Sequence, residues 1–235
     1  MLLPSVNFSH KRQTVFYVRI SVLLLVFLFF GATTAAAEGD KRKEFVLFGT
    51  REFRSSIKSL PKWIRVVNFE KAKATFENFQ GSRSGEWNKI KARLQNADEM
   101  TKLKEVNSFF NKWPYRTDME AWGKSDYWAT PKEFIGKSGD CEDYSIVKYY
   151  ALKELGVPIE NMRIVVLNDS IRNLDHSVLA VDVGGTLYIL DNVSNLVLPD
   201  KRLAHYKPYY SVNENFRWVH LPPDTGDPGK SVIKR

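Results

Sequence analysis

The chain contains a single cysteine, Cys141, which stands where a predicted helix begins. The N–H groups and the dipole of a helix N-terminus lower the pKa of a thiol and favour the nucleophilic thiolate. A nucleophile of this kind also needs a base, and the base needs a group that orients it. His176 and Asp191 are the candidates for these two positions.

The spacing of His176 and Asp191 gives that pairing a geometric basis. Gly184-Gly185 predicts a two-residue turn that joins two antiparallel strands. With this turn, Asp191 lies opposite Val178, and His176 lies two residues farther along the same face. The Cα atoms of such diagonal neighbours are ~7–8 Å apart, which is within side-chain reach. If the Cys141 helix packs on that face, the three residues form the arrangement of a thiol protease.

Two other interpretations stay open at the level of the residues. Asp175 directly precedes His176, but successive residues of a strand point to opposite faces, and this favours Asp191 as the orienting group. A lone cysteine is also often a buried and chemically inert side chain. From the residues alone, a reactive Cys141 and an inert Cys141 are about equally well supported.

Three carboxylates surround the cysteine, namely Asp140, Glu142 and Asp143. Asp140 at the N-cap with Asp143 three residues later resembles a capping box, which would make them structural. However, three carboxylates should raise the pKa of the thiol and so oppose its ionisation. A bound hard cation removes this conflict, and Ca²⁺ prefers carboxylate and carbonyl oxygens. Further carbonyl ligands are expected from the turn near residues 156–162.

The elements that position these residues follow from hydrophobic periodicity. Helices are predicted over residues 55–68, 87–113 and 141–155, and strands over residues 163–167, 177–183 and 186–190. A long aromatic-rich connection separates the second helix from the third. Because helices come first and an antiparallel sheet follows, the fold class is α+β.

The beginning of the chain is typical of an exported protein. A basic stretch that ends at Arg19 precedes an apolar run over residues 20–30, and Ala35-Ala36-Ala37 supply a cleavage site. This pattern predicts a signal peptide over residues 1–37. The apolar run is shorter than the ~20 residues that span a bilayer. A retained membrane anchor is the alternative, and both place the domain outside the cytoplasm.

Charge and composition narrow the classes of function. The net charge is +8, and it falls to +5 without residues 1–37, which hold three basic residues and no acid. The remaining basic residues are scattered rather than clustered, so we expect no nucleic-acid partner. Residues 38–220 are predicted to form one domain, and residues 221–235, rich in Pro, Gly and Asp, a flexible tail.

Longer runs around the candidate residues resemble a known family. These are Tyr127-Trp128-Ala129-Thr130-Pro131-Lys132-Glu133-Phe134 and Gly139-Asp140-Cys141-Glu142-Asp143-Tyr144, followed by His176-Ser177-Val178-Leu179 and Leu190-Asp191-Asn192. They are similar to the signature of the bacterial transglutaminase-like cysteine proteinases, in particular the LapG-like periplasmic adhesin proteases. The similarity extends over roughly residues 55–218.

The resemblance implies a papain-like or transglutaminase-like core and a cysteine protease domain over residues 38–220. It implies that Cys141 is the nucleophile, His176 the general base and acid, and Asp191 the orienting carboxylate in peptide-bond hydrolysis. The Cys141 backbone N–H is then an expected donor to the oxyanion. It also implies a requirement for Ca²⁺, bound by the acids that flank the cysteine: Asp140, Glu142 and Asp143.

The resemblance further implies a biological setting. The substrate would be a large surface adhesin, cut in its N-terminal region in the periplasm, with its release promoting biofilm dispersal. An inner-membrane cyclic-di-GMP receptor of the LapD type would hold the enzyme in check.

Two alternative functions remain compatible with the same residues. The first is a transglutaminase-type acyl transferase, in which an amine rather than water takes the thioester. The second is a non-catalytic, calcium-binding periplasmic scaffold.

Overall fold

The computed structural model describes residues 45–77, 79–81 and 83–223. The predicted signal peptide and nearly all of the predicted tail lie outside these residues. Within the described ranges, no helix is both long and apolar enough to cross a membrane.

Six α-helices occur in the described residues. They are α1 (Pro61–Lys73), α2 (Ser84–Leu94), α3 (Glu99–Phe110), α4 (Asp118–Trp122), α5 (Pro131–Lys137) and α6 (Cys141–Glu154). Helix α6 begins at the cysteine, as predicted. Nearly every side chain of its middle turns is buried, so α6 is the central helix of the fold.

A single antiparallel sheet forms the other layer. Its strands are β1 (Arg51–Ser56), β2 (Met162–Asp169), β3 (Leu174–Val183), β4 (Thr186–Asp191), β5 (Ser194–Pro199), β6 (Tyr206–Val212) and β7 (Phe216–Leu221). The strand order is β1-β7-β6-β2-β3-β4-β5. Helices packed on an antiparallel sheet confirm the α+β class.

The turn that fixes the register of the candidate site is present as predicted. Gly184 and Gly185 have φ angles of 60° and 85°. Positive φ at both central residues defines a type I′ turn, which glycine adopts without steric cost. Val183 pairs with Thr186 across the turn, and the same register continues to Leu179 and Leu190.

Two element predictions are wrong in part. The helix expected over residues 55–68 begins only at Pro61, because residues 51–56 pair with β7 as an edge strand. The helix expected over residues 87–113 is two helices, since Asp98 caps a new one by accepting the Thr101 N–H at 2.9 Å.

Other elements were not predicted at all. Strands β1, β5, β6 and β7 extend the expected three-stranded sheet to seven strands, and Leu221, assigned to the tail, ends β7. The aromatic-rich connection contains α4 and α5, and each begins with a Thr-x-x-Glu capping box. These short helices matter because they carry residues into the candidate site.

The main core lies between the helices and the sheet. Aromatic rings from α2, α3 and α5 pack edge-on in a cluster that includes Trp87, Phe109, Phe110 and Phe134. A fully buried side chain of this size contributes about 1.5–3 kcal/mol to folding. Because α6 is held between this cluster and the sheet, the position of Cys141 against β3 is rigidly determined.

Candidate active site

His176 and Asp191 meet as the strand register predicts. His176 Nε2 lies 2.9 Å from Asp191 Oδ1, and both side chains are buried. Asp191 also accepts hydrogen bonds from the Tyr206 hydroxyl at 2.5 Å and the Val193 N–H at 3.0 Å. Burial alone would raise the pKa of Asp191, but these donors, His176 first, lower it to about 2. Asp191 is therefore a stable carboxylate that fixes the imidazole.

Two residues that the sequence analysis missed support this pair. Tyr206 comes from β6, and its ring also contacts His176 edge-on, with centroids 5.9 Å apart. Asn111, which follows α3, donates to the backbone carbonyl of Asp191 at 2.9 Å. The sheet thus holds the carboxylate of Asp191, and the helical layer holds the backbone of the same residue.

Cys141 is the first residue of α6 and lies beside β3. The Ser177 backbone N–H interacts with its sulfur and favours the thiolate. Ser177 directly follows His176, so the thiol lies next to the histidine-bearing segment of the strand. Because Nε2 of His176 faces Asp191, Nδ1 is the ring nitrogen left for proton transfer.

The environment of the thiol nevertheless favours its neutral form. Burial raises the pKa of Cys141 well above its usual value, and the charges of Glu142 and Asp140 raise it further. The thiol donates a hydrogen bond to Glu142 Oε2 at 3.3 Å. The expected lowering of the thiol pKa by the helix N-terminus is therefore outweighed by burial and by the adjacent carboxylates.

The capping box expected from Asp140 and Asp143 does not form. Asp140 occupies the N-cap position, but its side chain makes no capping hydrogen bond. Asp143 instead accepts the Ala129 N–H at 2.6 Å and lies over Gly139. A Cβ atom at Gly139 would stand 2.0 Å from Asp143 Oδ2, so this approach requires glycine. The carboxylates of the two acids lie close to each other, within 4.8 Å.

Two more acids join this cluster. Asp118 and Asp126 come from α4 and the turn after it, and the sequence analysis did not select them. Ligand atoms of Asp118, Asp126 and Glu142 lie within 4.8 Å of one another, and the same holds for Asp118, Asp140 and Asp143. We call these five residues the acidic cluster. The carbonyls expected near residues 156–162 lie at the other end of α6, about 20 Å away along the helix.

The acidic cluster fits a hard cation. Asp118 Oδ1, Asp140 Oδ1 and Asp143 Oδ2 are buried and have no hydrogen-bond partner in the part of the chain that the structure describes. Burial, the first cause, raises the pKa of Asp140 to about 9 and also raises those of Asp118, Glu142 and Asp143. Buried carboxylates without donors are costly unless a cation binds them, and oxygen-only sets suit Ca²⁺.

An exposed aromatic residue borders the nucleophile. Tyr115 pairs with Gly139 in an isolated β-bridge and stacks on Tyr144, with centroids 6.5 Å apart. Burial of its hydroxyl and the charge of Cys141 raise its pKa, which places the phenol close to the sulfur. Its side chain is 54% exposed, so an aromatic surface lies beside the nucleophile. Trp128, by contrast, is buried against Trp63 and belongs to the core.

Asp175, the alternative orienting residue, and a second buried histidine, His220, have other roles. Asp175 faces away from the site, as predicted, and accepts a hydrogen bond from the Tyr209 hydroxyl at 2.9 Å. His220 is buried between Thr50 and Ser211, with its ring nitrogens 2.8 Å and 2.9 Å from their hydroxyls.

Comparison with known proteins identifies one family and several similar structures. The family described as bacterial transglutaminase-like cysteine proteinase BTLCP matches residues 69–225. The calcium-bound structure of LapG from Legionella pneumophila is 33% identical, with a TM-score of 0.55 over 64% of this chain and 86% of that one. The EGTA-treated LapG is 31% identical, with a TM-score of 0.55 over 68% and 87%. No match was found among curated protein sequences.

Proposed function

Since the chain belongs to the bacterial transglutaminase-like cysteine proteinases, we propose that it is a calcium-dependent cysteine endopeptidase with Cys141, His176 and Asp191 as its triad. The observation that carries the proposal is the buried hydrogen bond of 2.9 Å between His176 and Asp191. It is joined by the position of Cys141 at a helix N-terminus beside the same strand. This combination supplies a nucleophile, a base and an orienting group in one place.

Each group has one task in the proposed reaction. His176 Nδ1 takes the thiol proton while Cys141 Sγ attacks the scissile carbonyl carbon, and Asp191 stabilises the imidazolium that forms. The Cys141 N–H, one of the unpaired donors at the start of a helix, faces the developing oxyanion. His176 then protonates the leaving amine, which leaves a thioester. Water hydrolyses the thioester after His176 removes its proton.

The acidic cluster would hold calcium in this proposal. The ligands would be carboxylates of Asp118, Asp126, Asp140, Glu142 and Asp143, which the unpartnered oxygens support. When bound, calcium would compensate the negative charge that keeps the Cys141 thiol neutral. Glu142 accepts a hydrogen bond from that thiol, so charge compensation at Glu142 acts directly on the nucleophile. The calcium-bound form of the similar LapG supports the choice of ion.

The substrate and setting are proposed from family resemblance. The enzyme would act in the periplasm on the N-terminal region of a large surface adhesin, and its action would release the adhesin and promote biofilm dispersal. A LapD-like inner-membrane receptor for cyclic di-GMP would control its access to the adhesin. The export signal predicted over residues 1–37 supports the location.

A proteolysis assay with three arms tests the proposal. The purified protein is mixed with the N-terminal fragment of an adhesin from the same genome, in calcium, in EGTA, and in calcium with Cys141→Ala. Cleavage in the first arm alone is the expected result. Cleavage in both wild-type arms would leave the triad in place and overturn the calcium requirement.

The same assay separates the two alternatives. An added primary amine that becomes crosslinked to the fragment would indicate acyl transfer instead of hydrolysis. A scaffold would bind the fragment equally well with Cys141→Ala and would cleave it in none of the arms.

A further inference from the structure

A lysine is buried at the centre of the fold without an anionic contact that would explain it. Lys148 is 0% exposed, and its Nζ has no hydrogen-bond partner among the described residues. Its one directed interaction is with the ring face of Tyr144, 5.6 Å from the centroid. Native proteins rarely leave a buried amine in this state, so its presence needs a reason.

The position of Lys148 on α6 points to the active site. Lys148 follows Cys141 by seven residues, which is close to two helical turns, so both side chains leave the same face of α6. Helical side chains lean toward the N-terminus, so the long Lys148 side chain extends toward the end that carries Cys141. The carboxylate whose charge acts on Lys148 is Asp191.

Retaining this lysine costs stability. Burial lowers the pKa of Lys148 to about 7, and the attraction of Asp191 opposes that lowering only in part. Replacement of buried charged groups by apolar side chains of similar volume is often neutral or stabilising. A costly residue that faces the catalytic carboxylate is more readily explained by function than by folding.

We infer that Lys148 is a positioning residue of the triad, whose ammonium group faces Asp191 from the helical layer and keeps that carboxylate directed at His176. This inference rests on the proposed function, because it assigns Asp191 the orienting role. The other groups around the carboxylate, Tyr206 and the Val193 N–H, approach from the sheet. Lys148 supplies the charge on the opposite side.

Replacement by methionine, which has a similar length and no charge, is the direct test. For Lys148→Met in saturating calcium, we expect kcat to fall by roughly tenfold or more, with KM within about twofold and Tm equal or higher. Lys148→Arg restores part of kcat because it returns the charge. Unchanged kcat in Lys148→Met would overturn the inference.

A matched control lies on the same helix. Tyr150 is also buried, and its hydroxyl likewise has no hydrogen-bond partner in the described ranges. Tyr150→Phe removes that hydroxyl at a position away from Asp191, so kcat stays at the wild-type value. An equal loss of kcat in Tyr150→Phe would show that any change in α6 disturbs the site, and the positioning role would be rejected.

A double-mutant cycle with Asp191 tests the route of the effect. If Lys148 acts through Asp191, Lys148→Met causes little further loss of kcat in a protein that already carries Asp191→Asn. Additive losses would contradict the inference. Should Lys148→Met fail to fold, Lys148→Gln, which keeps a polar end without charge, replaces it in the same cycle.

Alkylation of the thiol separates this inference from the proposed function. The chain has one cysteine, so the rate of iodoacetamide modification at a fixed pH in calcium reports on Cys141 alone. A slower rate in Lys148→Met, but not in Tyr150→Phe, supports the positioning role even if no adhesin fragment is cleaved. Equal alkylation rates in all three proteins would overturn the positioning role, even if the wild-type protein cleaves the adhesin fragment.

Discussion

The active-site region contains two sets of carboxylates, Asp191 and the acidic cluster, which differ in their hydrogen-bond donors and in the direction of their pKa shifts. Asp191 accepts hydrogen bonds from three donors, and its pKa is lowered to about 2. In the acidic cluster, Asp118, Asp140 and Asp143 each have one buried oxygen without a partner, and their pKa values are raised. The two sets lie on either side of the same cysteine.

The difference shows what each set requires. Asp191 has its charge stabilised by the protein itself, so it can orient His176 without a cofactor. In the acidic cluster, one buried oxygen each of Asp118, Asp140 and Asp143 has no donor in the described structure, so the cluster is suited to a ligand that brings positive charge. The number of donors around each oxygen, rather than the type of residue, separates an orienting carboxylate from a candidate cation ligand.

Asp191→Asn should give the largest effect. An amide cannot hold the histidine in the same tautomer, and losses of about 10⁴-fold in kcat are known for an orienting aspartate of a serine protease. We expect kcat for fragment cleavage to fall by at least about 10³-fold. Calcium affinity, measured by calorimetry, stays the same because Asp191 is outside the acidic cluster. A parallel loss of calcium binding would mean that the two sets are one electrostatic unit.

Asp118→Asn tests the acidic cluster at a residue that the sequence analysis did not select. Asp118 lies on α4, more than twenty residues before Cys141, and removal of its charge should weaken calcium binding by at least about tenfold, or 1.4 kcal/mol. With calcium in large excess, cleavage returns toward the wild-type rate. Asp175→Asn is the control, since it removes the same charge at an exposed site bonded to Tyr209. Equal calcium affinity in both variants would exclude Asp118 as a ligand.

Part of the candidate site could be predicted from local signals in the sequence. Two-residue turns fix strand register, so Gly184-Gly185 sufficed to bring His176 and Asp191 together. The position of Cys141 at a helix start could also be predicted, because Gly139-Asp140 precedes a strong apolar stripe. Local signals therefore predicted the contact between His176 and Asp191 and the position of Cys141 at a helix start.

The sequence analysis selected three of the five residues of the acidic cluster. Asp140, Glu142 and Asp143 adjoin the cysteine, whereas Asp118 and Asp126 reach it through the path of the chain around α4. Hydrophobic periodicity does not predict the path of a connecting segment such as this one. The Thr-x-x-Glu pattern at Thr117 was a usable signal for α4, but a helix of five residues shows too little periodicity to be recognised. Edge strand β1 was missed for a similar reason, since pairing with β7 overrides local preference.

Stability against pH should also differ between the two sets. Without calcium, the raised pKa values of Asp140 and Asp143 mean that the folded protein holds protons that the unfolded chain releases near its ordinary carboxyl pKa. Their contribution is complete below that value and is lost as the pH rises toward about 9. The lowered pKa of Asp191 contributes stability that is lost only as the pH falls toward about 2.

We therefore expect the Tm in EGTA to decrease between pH 5 and pH 8.5, and calcium to reduce that decrease. Asp143→Asn should flatten the profile in EGTA. Thermal melts at constant ionic strength measure these profiles. A Tm in EGTA that rises across this range would contradict the pKa directions given for the acidic cluster.

The smallest effect is expected at the helix cap that positions Asp118. Thr117 Oγ1 accepts the Glu120 N–H, and Glu120 Oε2 accepts the Thr117 N–H at 2.8 Å, so the cap supplies much of the order in five-residue α4. Thr117→Ala should cost about 1 kcal/mol of stability, or roughly 2–4 °C in Tm. Because α4 must be ordered before Asp118 can bind, calcium affinity should fall by up to about fivefold.

A second cap separates that effect from a general loss of stability. Asp98→Ala removes the N-cap of α3, which begins near the C-terminal end of α6, since Lys102 donates to the Leu155 carbonyl. The loss of Tm should be similar, yet calcium affinity should not change, because that end of α6 lies about 20 Å from the acidic cluster. Equal losses of affinity in both variants would mean that calcium responds to overall stability and not to the order of α4. A loss confined to Thr117→Ala would show that the acidic cluster depends on a backbone segment that the catalytic carboxylate does not use.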